Sequence, residues 1–279
     1  MDTTIYKTKV ISDSDLIREA YYKEMYGTGG IQGTNILVME NYSKKPLIKG
    51  RRSNKVIAAG SAFTASKHFD MDTPVRFPSM NTYLGLDNSQ PDGAVPTNIQ
   101  KVVLFGVAKD GAFPESTEVR PVDYKRIPAI EDIIPFRYPA ISNDLTASER
   151  NVYFGRKQLT NYVAYYFKTF DVDPVIYQAY TDGTPVDANL YNSTNVLEAE
   201  TYAELRLKVT KEDCREFFAA TLTPSEAKVN SIMLFDAWYT EVNGVKYFQN
   251  IQPLTKLNIV NESLADATKG LDIVYHIYY

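Results

Sequence analysis

Residues 162–170 have the sequence Tyr-Val-Ala-Tyr-Tyr-Phe-Lys-Thr-Phe, which predicts a β-strand with apolar or aromatic side chains on both faces. Side chains alternate between the faces of a strand, so Ala164 and Tyr166 share one face while Tyr165 and Phe167 share the other. A strand of this kind lies between two packed layers, or it turns one face toward a partner protein. This stretch therefore indicates a β-rich body with an aromatic surface.

The segment before this strand reads Asp-Ile-Ile-Pro-Phe-Arg-Tyr-Pro at residues 132–139. Proline has no backbone N–H to give to a ladder, so Pro128 and Pro135 confine residues 127–138 to sheet-edge positions or an extended linker. The polar stretch that follows contains Thr146 and, three residues later, Glu149, a pair that predicts the start of a short helical turn.

Regular strand signals continue through the rest of the chain. The Asn243-Gly244 pair predicts a hairpin, because both positions tolerate the positive φ angles of a tight turn. Two threonines with an acid three residues later, in 210–213 and 223–226, predict helix starts. The predicted strands cover residues 101–107, 175–180, 201–209, 230–242, 245–251 and 271–279. The fold class is mainly β with a minor α component: an antiparallel β-sandwich-like body with a few short helices and an extended N-terminal arm or loop region.

The first hundred residues have a different character. Ser12 or Ser14 caps a predicted helix that runs through Met25 and ends at Gly27. From there to about residue 96, glycine and polar residues dominate, which indicates an extended arm or long loops. The predicted organisation is an N-terminal segment with a helix at 1–26, the arm at 27–99, and the body at 100–279.

Composition limits the classes of protein. The chain has 279 residues with 30 Lys and Arg against 34 Asp and Glu, and a net charge of −4 argues against a dedicated nucleic-acid-binding protein. Cys214 is the single cysteine, so no intrachain disulfide and no multi-thiolate metal site can form. The N-terminus does not read as a signal peptide, and no apolar run approaches the roughly 18 residues of a membrane span. We expect a soluble protein made inside a cell.

Motifs for chemistry are weak throughout. The glycine-rich residues 27–33 follow a predicted helix instead of a strand, the reverse of a dinucleotide-binding loop. His68, Asp70 and Asp72 alternate as metal ligands on a strand would, but no second cluster completes a site. His276 reads as a packed or edge histidine. We expect a non-enzymatic protein with no catalytic, cofactor-binding or metal-binding residues.

Acids and aromatic residues leave two minor alternatives open. Asp171 and Asp173 form a pair of the kind that glycosidases use, although 34 acids make chance pairs common. The single tryptophan, Trp238, together with tyrosines, offers some capacity for stacking on sugars. A carbohydrate-binding module therefore stays an alternative.

A cluster of cations interrupts the arm. Within twelve residues it contains Lys44, Lys45, Lys49, Arg51, Arg52 and Lys55. One interpretation is a contact to DNA or to another polyanion, including an acidic neighbouring protein. The other is a solvated loop, which is the usual role of a charge run.

The 21 tyrosines favour a protein interface, since Tyr supplies large contact area at low entropic cost. The candidates for interface contacts are Tyr138, Tyr165, Phe167 and Tyr180. At least one large interface is expected, although many of the tyrosines serve as ordinary core residues.

The phrases of this central region resemble virion structural proteins of large tailed bacteriophages. The phrases are Ile-Pro-Phe-Arg-Tyr at 134–138, Asp-Leu at 144–145, Tyr-Phe-Gly-Arg-Lys at 153–157, Ala-Tyr-Tyr-Phe-Lys at 164–168, Asp-Gly-Thr-Pro at 182–185 and the terminal strand 274–279. The resemblance covers residues 100–185 and that strand.

The resemblance implies a multi-copy part of the neck, collar or head–tail connector, made in the host cytoplasm. It also implies assembly as a ring with other virion proteins through β surfaces and an arm. The alternative is a carbohydrate- or receptor-binding β-sandwich module of the baseplate, tail tip or fibre.

Overall fold

Two compact units make up the computed structural model, and each is built on an antiparallel β-sheet. Unit 1 comprises residues 1–53, 170–210 and 268–279, and unit 2 comprises residues 54–169 and 211–267. The structure describes residues 4–5, 22–23, 33–40, 46–52, 55–56, 60, 63–64, 79–87, 100–113, 118–122, 133–180, 185–187, 199–223, 226–264 and 270–278.

The described elements are mainly strands. They are β1 (Thr4–Ile5), β2 (Tyr22–Lys23), β3 (Gly33–Glu40), β4 (Pro46–Arg52), β5 (Lys55–Val56), β6 (Lys101–Ala108), β7 (Ile133–Ile134), β8 (Tyr153–Gln158), β9 (Val163–Thr169), β10 (Val172–Tyr180), β11 (Pro185–Asp187), β12 (Ala199–Val209), β13 (Lys228–Val242), β14 (Val245–Ser263) and β15 (Leu271–Tyr278). The helices are α1 (Met80–Leu84) and α2 (Arg215–Thr221), with 3₁₀ turns at Ile141–Asn143 and Glu149–Asn151. The predicted mainly β, antiparallel fold with short helices is confirmed.

Unit 1 contains a six-stranded sheet in the order β11-β10-β12-β15-β3-β4. The strand predicted for residues 201–209 is confirmed as β12, with Leu205 and Leu207 buried on one face. Its other face is not open to solvent as a half-buried strand would be, because Tyr202 and Glu204 are buried too. On the neighbouring strand, the register places Tyr275 opposite Leu205 and Ile273 opposite Leu207.

Unit 2 contains a seven-stranded sheet with the main order β5-β14-β13-β6-β9-β8. Its longest pairing is the predicted hairpin of β13 and β14, in which Asn243 and Gly244 have φ angles of 53° and 77°. The ring of Phe154 on β8 meets that of Phe248 on β14 at a centroid distance of 4.5 Å. Since three strands separate β8 from β14 in the sheet order, this contact requires the sheet to curl around its core.

The core of unit 2 combines side chains from this curled sheet and from α1. Its buried members are Met80, Leu86, Leu104, Ala108, Ile133, Phe154, Phe167, Met233, Phe235, Ala237 and Ile251. Helix α1 is fixed against β14 by the side chain of Asn81, whose Oδ1 accepts the backbone N–H of Ile251 at 3.0 Å.

Side-chain caps appear where the two acid-containing turns were predicted. Glu149 Oε2 accepts the backbone N–H of Thr146 at 2.9 Å, and Glu226 Oε2 accepts that of Thr223 at 3.0 Å. At 146–149 the contact is reciprocal, because Thr146 Oγ1 accepts the backbone N–H of Glu149 at 3.4 Å, and this pair forms a capping box. The predicted helix start at 210–213 is wrong in its cap, since α2 has Cys214 as its N-cap and no side-chain cap bond. The start predicted at 223–226 is also wrong, because β13 begins at Lys228.

The predicted arm at 27–99 is wrong for its first part, because β3 and β4 are strands of the unit 1 sheet. The register places Ile36 opposite Tyr275 and Val38 opposite Ile273, so two apolar residues on one face suffice to extend the sheet. The predicted body at 100–279 is likewise divided between the two units. The helix predicted from residue 12 to 27 is wrong at Tyr22–Lys23, which pairs with β1, and its remainder lies outside the described residues.

Glycine is required at position 155 for two reasons. Gly155 has a φ of 71°, and a Cβ there would clash with the ring of Phe167. Gly244 has a φ of 77°, but a Cβ there meets nothing within 4 Å.

We expect Gly155→Ala to lower the free energy of unfolding by about 2–5 kcal/mol, the sum of backbone strain and overpacking. The matched control Gly244→Ala carries only the strain, about 1–2 kcal/mol. Urea unfolding measures both, and equal losses would contradict the packing argument.

Candidate assembly surface

The extended segment 136–140 lies along β9 and continues the sheet of unit 2. Phe136 donates its backbone N–H to the carbonyl of Tyr165 at 2.8 Å, and Tyr165 donates back to Arg137 at 3.0 Å. Val163 then donates to the carbonyl of Pro139 at 2.9 Å. Pro139 pairs through its carbonyl, since proline has no N–H to donate. Of the two prolines predicted at an edge or in a linker, Pro135 connects β7 to this segment, and Pro128 lies outside the described residues.

Helix α2 and the residue before it cover the outer side of this segment. Cys214 donates its backbone N–H to Phe136 at 2.7 Å, and Tyr138 donates its own to the Glu216 carboxylate at 2.9 Å. The guanidinium of Arg137 lies between two acids, 3.0 Å from Glu149 and 3.6 Å from Glu216. The segment is thus fixed on both sides, by β9 and by α2.

A buried ion pair joins β9 to the turn before α2. Lys168 Nζ lies 2.7 Å from Asp213 Oδ2, and the Tyr153 hydroxyl donates to the other carboxylate oxygen at 2.7 Å. The exposed fractions of the two charged side chains are 7% and 0%. The ammonium also lies 5.2 Å from the centre of the Tyr153 ring. Alternation in the sequence places Lys168 among apolar residues of β9. Its positive charge is compensated there by the Asp213 carboxylate.

Cys214 belongs to this buried cluster and is not arranged as a nucleophile. Its φ of 63° is a left-handed conformation that costs a non-glycine residue about 1–2 kcal/mol. Burial raises the pKa of its thiol well above the ordinary value, and the Asp213 carboxylate adds to the increase. Both effects disfavour the thiolate.

Asp144, which follows this segment in the chain, makes four polar contacts. Its carboxylate accepts the Tyr165 hydroxyl and the Leu145 backbone N–H, each at 2.7 Å. The guanidinium groups of Arg150 and Arg156 lie 3.0 and 3.2 Å away. Partial burial opposes ionisation, but these donors and cations outweigh it and lower the pKa of Asp144. Burial and the bond to Asp144 raise the pKa of Tyr165 to about 12.

An aromatic patch lies on this support, and we define it as Tyr138, Tyr162 and Phe217. Tyr138 stacks on Tyr162 with a centroid distance of 4.8 Å and an interplanar angle of 14°, and it meets Phe217 edge-on at 5.5 Å. Desolvation and the neighbouring Tyr162 raise the pKa of Tyr138. Tyr162 is 37% exposed, and Ile141 beside it is 39% exposed. The patch presents stacked rings to solvent on a fixed backbone.

The four residues predicted to make interface contacts differ in where the structure places them. Tyr138 lies in the patch. Tyr165 and Phe167 correct the prediction, because their side chains are buried in unit 2, Tyr165 against Asp144 and Phe167 in the core. Tyr180 ends β10, and its side chain lies outside what the structure describes. Sequence reasoning missed Phe217, whose only signal is its place in the helix predicted from residue 210.

The predicted polyanion contact is spread over two strands. Lys49, Arg51 and Arg52 are in β4 and Lys55 is in β5, while Lys44 and Lys45 lie outside the described residues. The four cations from Lys49 to Lys55 were predicted to lie in an arm, but they lie in paired strands.

The structure describes only some of the other residues that were considered for metal binding, phosphate binding or catalysis. His68, Asp70 and Asp72 lie outside the described residues, as does the glycine-rich stretch up to residue 32. His276 is packed, as one alternative predicted, with Nε2 3.0 Å from Glu204 Oε2. Asp171 and Asp173 are exposed. Among the described residues, no three His, Cys, Asp or Glu side chains are grouped in a way that would hold a metal ion. In the same ranges, no helix has the length and apolar character to cross a bilayer.

Comparison of the chain with protein families, with curated proteins and with solved structures finds no match. The surface itself therefore carries the functional argument.

Removal of the Lys168 charge tests the buried pair. We expect Lys168→Met to lower the free energy of unfolding by about 3–5 kcal/mol, because it leaves the Asp213 carboxylate buried without its cation. Adding Asp213→Asn removes that charge and retains a partner for Tyr153, so the double variant should be more stable than Lys168→Met alone. Urea unfolding of the single and double variants gives the coupling energy. Additive losses would show that the two charges do not depend on each other.

Asp144 gives a pH-dependent prediction. Its folded pKa is lowered, so its contribution is complete above the unfolded pKa of about 3.9 and is lost as pH falls through the folded pKa. We expect Asp144→Asn to cost about 1–3 kcal/mol at pH 7, and the difference from the native chain to narrow below about pH 4. The exposed Asp171→Asn is the control and should change stability by less than about 0.5 kcal/mol. A difference that stays constant between pH 7 and pH 3 would contradict the ionic role.

Proposed function

We propose that this protein is a non-enzymatic structural protein of a tailed-phage virion, which assembles in several copies as part of the neck, collar or head–tail connector. The observation that carries the proposal is the aromatic patch on its fixed support. The patch has the composition of a protein interface and is held in one geometry before any partner arrives.

Preorganisation is what makes this patch suited to assembly. The rings of Tyr138 and Tyr162 are already stacked, so binding orders few further torsions. Their backbones are fixed by β9 and α2, and Asp144 holds the neighbouring loop by four contacts. Tyr and Phe side chains on a rigid surface supply contact area at low entropic cost.

The virion setting is supported by the resemblance of the sequence. Most of its phrases lie around this support: 134–138 includes a patch residue, 144–145 includes Asp144, and 164–168 includes the buried lysine. Four of its six stretches therefore lie in or around the support, while those at 182–185 and 274–279 belong to unit 1.

The alternative is a carbohydrate- or receptor-binding module of the baseplate, tail tip or fibre. It requires exposed aromatic rings, expected beside Trp238. In the structure Trp238, Tyr239 and Phe248 are each half-buried, whereas Tyr83, Phe113 and Tyr162 are exposed among the described residues. Sugar binding there would be saturable and would not change the mass of the protein in solution.

The proposal predicts self-association that depends on the patch. Light scattering of the native chain should give a mass that is a multiple of 31.5 kDa. Tyr162→Ser should raise the concentration of half-association about tenfold, because truncation of an aromatic contact costs about 1–2 kcal/mol. The matched control is Tyr83→Ser, since Tyr83 is 41% exposed and also lies in unit 2.

The two serine variants should have the unfolding midpoint of the native chain within a few degrees, which separates lost association from lost folding. An equal effect of Tyr162→Ser and Tyr83→Ser on association would refute the role of the patch. A native chain that stays monomeric and binds glycans saturably would favour the alternative module.

A further inference from the structure

The sheet of unit 1 ends in two edges that differ in charge. Among the described strands, β4 is terminal on one side, and β11 with the uncovered part of β10 is terminal on the other. Edge strands present unpaired backbone groups, so proteins either protect them or use them for binding. The charge of each edge decides which neighbour it accepts.

The first edge is basic. Strand β4 has the sequence Pro-Leu-Ile-Lys-Gly-Arg-Arg, in which Lys49, Arg51 and Arg52 are cationic and no residue is acidic. Its inner side is paired with β3, from Met39↔Pro46 to Thr34↔Arg52. These cations therefore lie in a strand at the end of the sheet.

The second edge is acidic and partly apolar. Strand β11 pairs with β10 only from Tyr177 to Ala179, so among the described residues the start of β10 has its partner on one side. Asp171 and Asp173 flank this start and are exposed, and Asp187 ends β11. Val172 and Ile176 are 47% and 48% exposed, so this part of β10 also presents apolar area to solvent.

We propose that the basic edge of one copy binds the acidic edge of the next, so that copies join head to tail through their unit 1 sheets. The occupant of each edge is a second copy of this chain, because each edge carries the charge that the other lacks. A contact between two different surfaces is heterologous, and it generates a ring if the rotation closes and a filament if it does not. The inference rests on the proposed multi-copy function and adds to the aromatic patch of unit 2 a second contact, at the sheet edges of unit 1.

Pro174 makes this edge selective. Proline disrupts the ladder, and the register between β10 and β12 is irregular between Val172 and Val175. An edge of this kind resists pairing with an arbitrary strand. The exposed acids then favour a basic partner, while Val172 and Ile176 supply apolar area that would be covered on contact. Duplex DNA, the other partner for β4, leaves the acidic edge unexplained.

Charge exchange tests the contact. The basic-edge variant is Lys49→Glu, Arg51→Glu, Arg52→Glu, and the acidic-edge variant is Asp171→Lys, Asp173→Lys. Each should raise the concentration of half-association at least tenfold, and the combined five-residue exchange should restore it to within threefold of the native value. The control Lys101→Glu, Lys109→Glu, Lys246→Glu makes the same charge change at exposed positions of unit 2 and should have no such effect.

Mixing of two neutralised variants distinguishes a head-to-tail contact from a symmetric one. The variant Lys49→Gln, Arg51→Gln, Arg52→Gln retains a native acidic edge, and the variant Asp171→Asn, Asp173→Asn retains a native β4. Energy transfer between differently labelled neutralised variants should therefore report cross-association at least tenfold stronger than the association of either variant with itself. In a symmetric contact the variant that keeps the contacting edge associates with itself at least as well as with the other, so absence of the cross-preference overturns the proposal.

The remaining outcomes are also decisive. If the native chain is monomeric at every concentration measured, the multi-copy function fails and this interface fails with it. If the native chain assembles but all charge variants assemble equally well, only the edge contact is refuted. Loss of duplex DNA binding in the basic-edge variant, with unchanged self-association, would assign the cations to DNA and overturn the proposal.

Discussion

The ion pair of Lys168 and Asp213 is the constraint on which the central surface depends. Neither charge reaches solvent, so the turn before α2 must lie against β9 for each to be compensated. Once Asp213 is placed, Cys214 reaches the carbonyl of Phe136 and Glu216 reaches the N–H of Tyr138. The exposed rings are thus positioned by a contact buried beneath them. A helix joined to the strand by apolar packing alone would have more freedom to slide.

Local signals in the sequence predicted most strands and turns. Alternation placed β9 and β12 correctly, Asn243-Gly244 fixed the β13–β14 turn, and the acid three residues after Thr146 formed its cap. Each of these depends on residues close in sequence. Strands β3 and β4 were missed because pairing stabilises them: β3 pairs with β15, more than 200 residues away, and β4 in turn pairs with β3.

The candidate site was predictable only in part, for a related reason. Alternation assigns residues to faces, but it does not say what covers each face. Tyr165 and Phe167 were interpreted as interface residues, yet Asp144 covers one and the core of unit 2 covers the other. Tyr138 was identified, whereas its neighbour Phe217 comes from a helix 79 residues further along the chain. The contact between Tyr138 and Phe217 depends on the buried ion pair. No periodic pattern in the sequence relates Lys168 to Asp213, so the contact could not be predicted.

The distribution of charge carries information that the net charge conceals. The total of −4 argues against a polyanion-binding protein, but it averages a cationic β4 with an acidic edge elsewhere in the same sheet. An antiparallel sheet that does not close must end in two edges, and like-charged edges repel copies of the same chain. In the head-to-tail contact that we propose, opposite charges would turn this liability into directed association, since each edge repels its own kind and attracts the other. Because exposed ion pairs are individually weak, we expect that contact to be sensitive to salt and reversible until many copies close into one assembly.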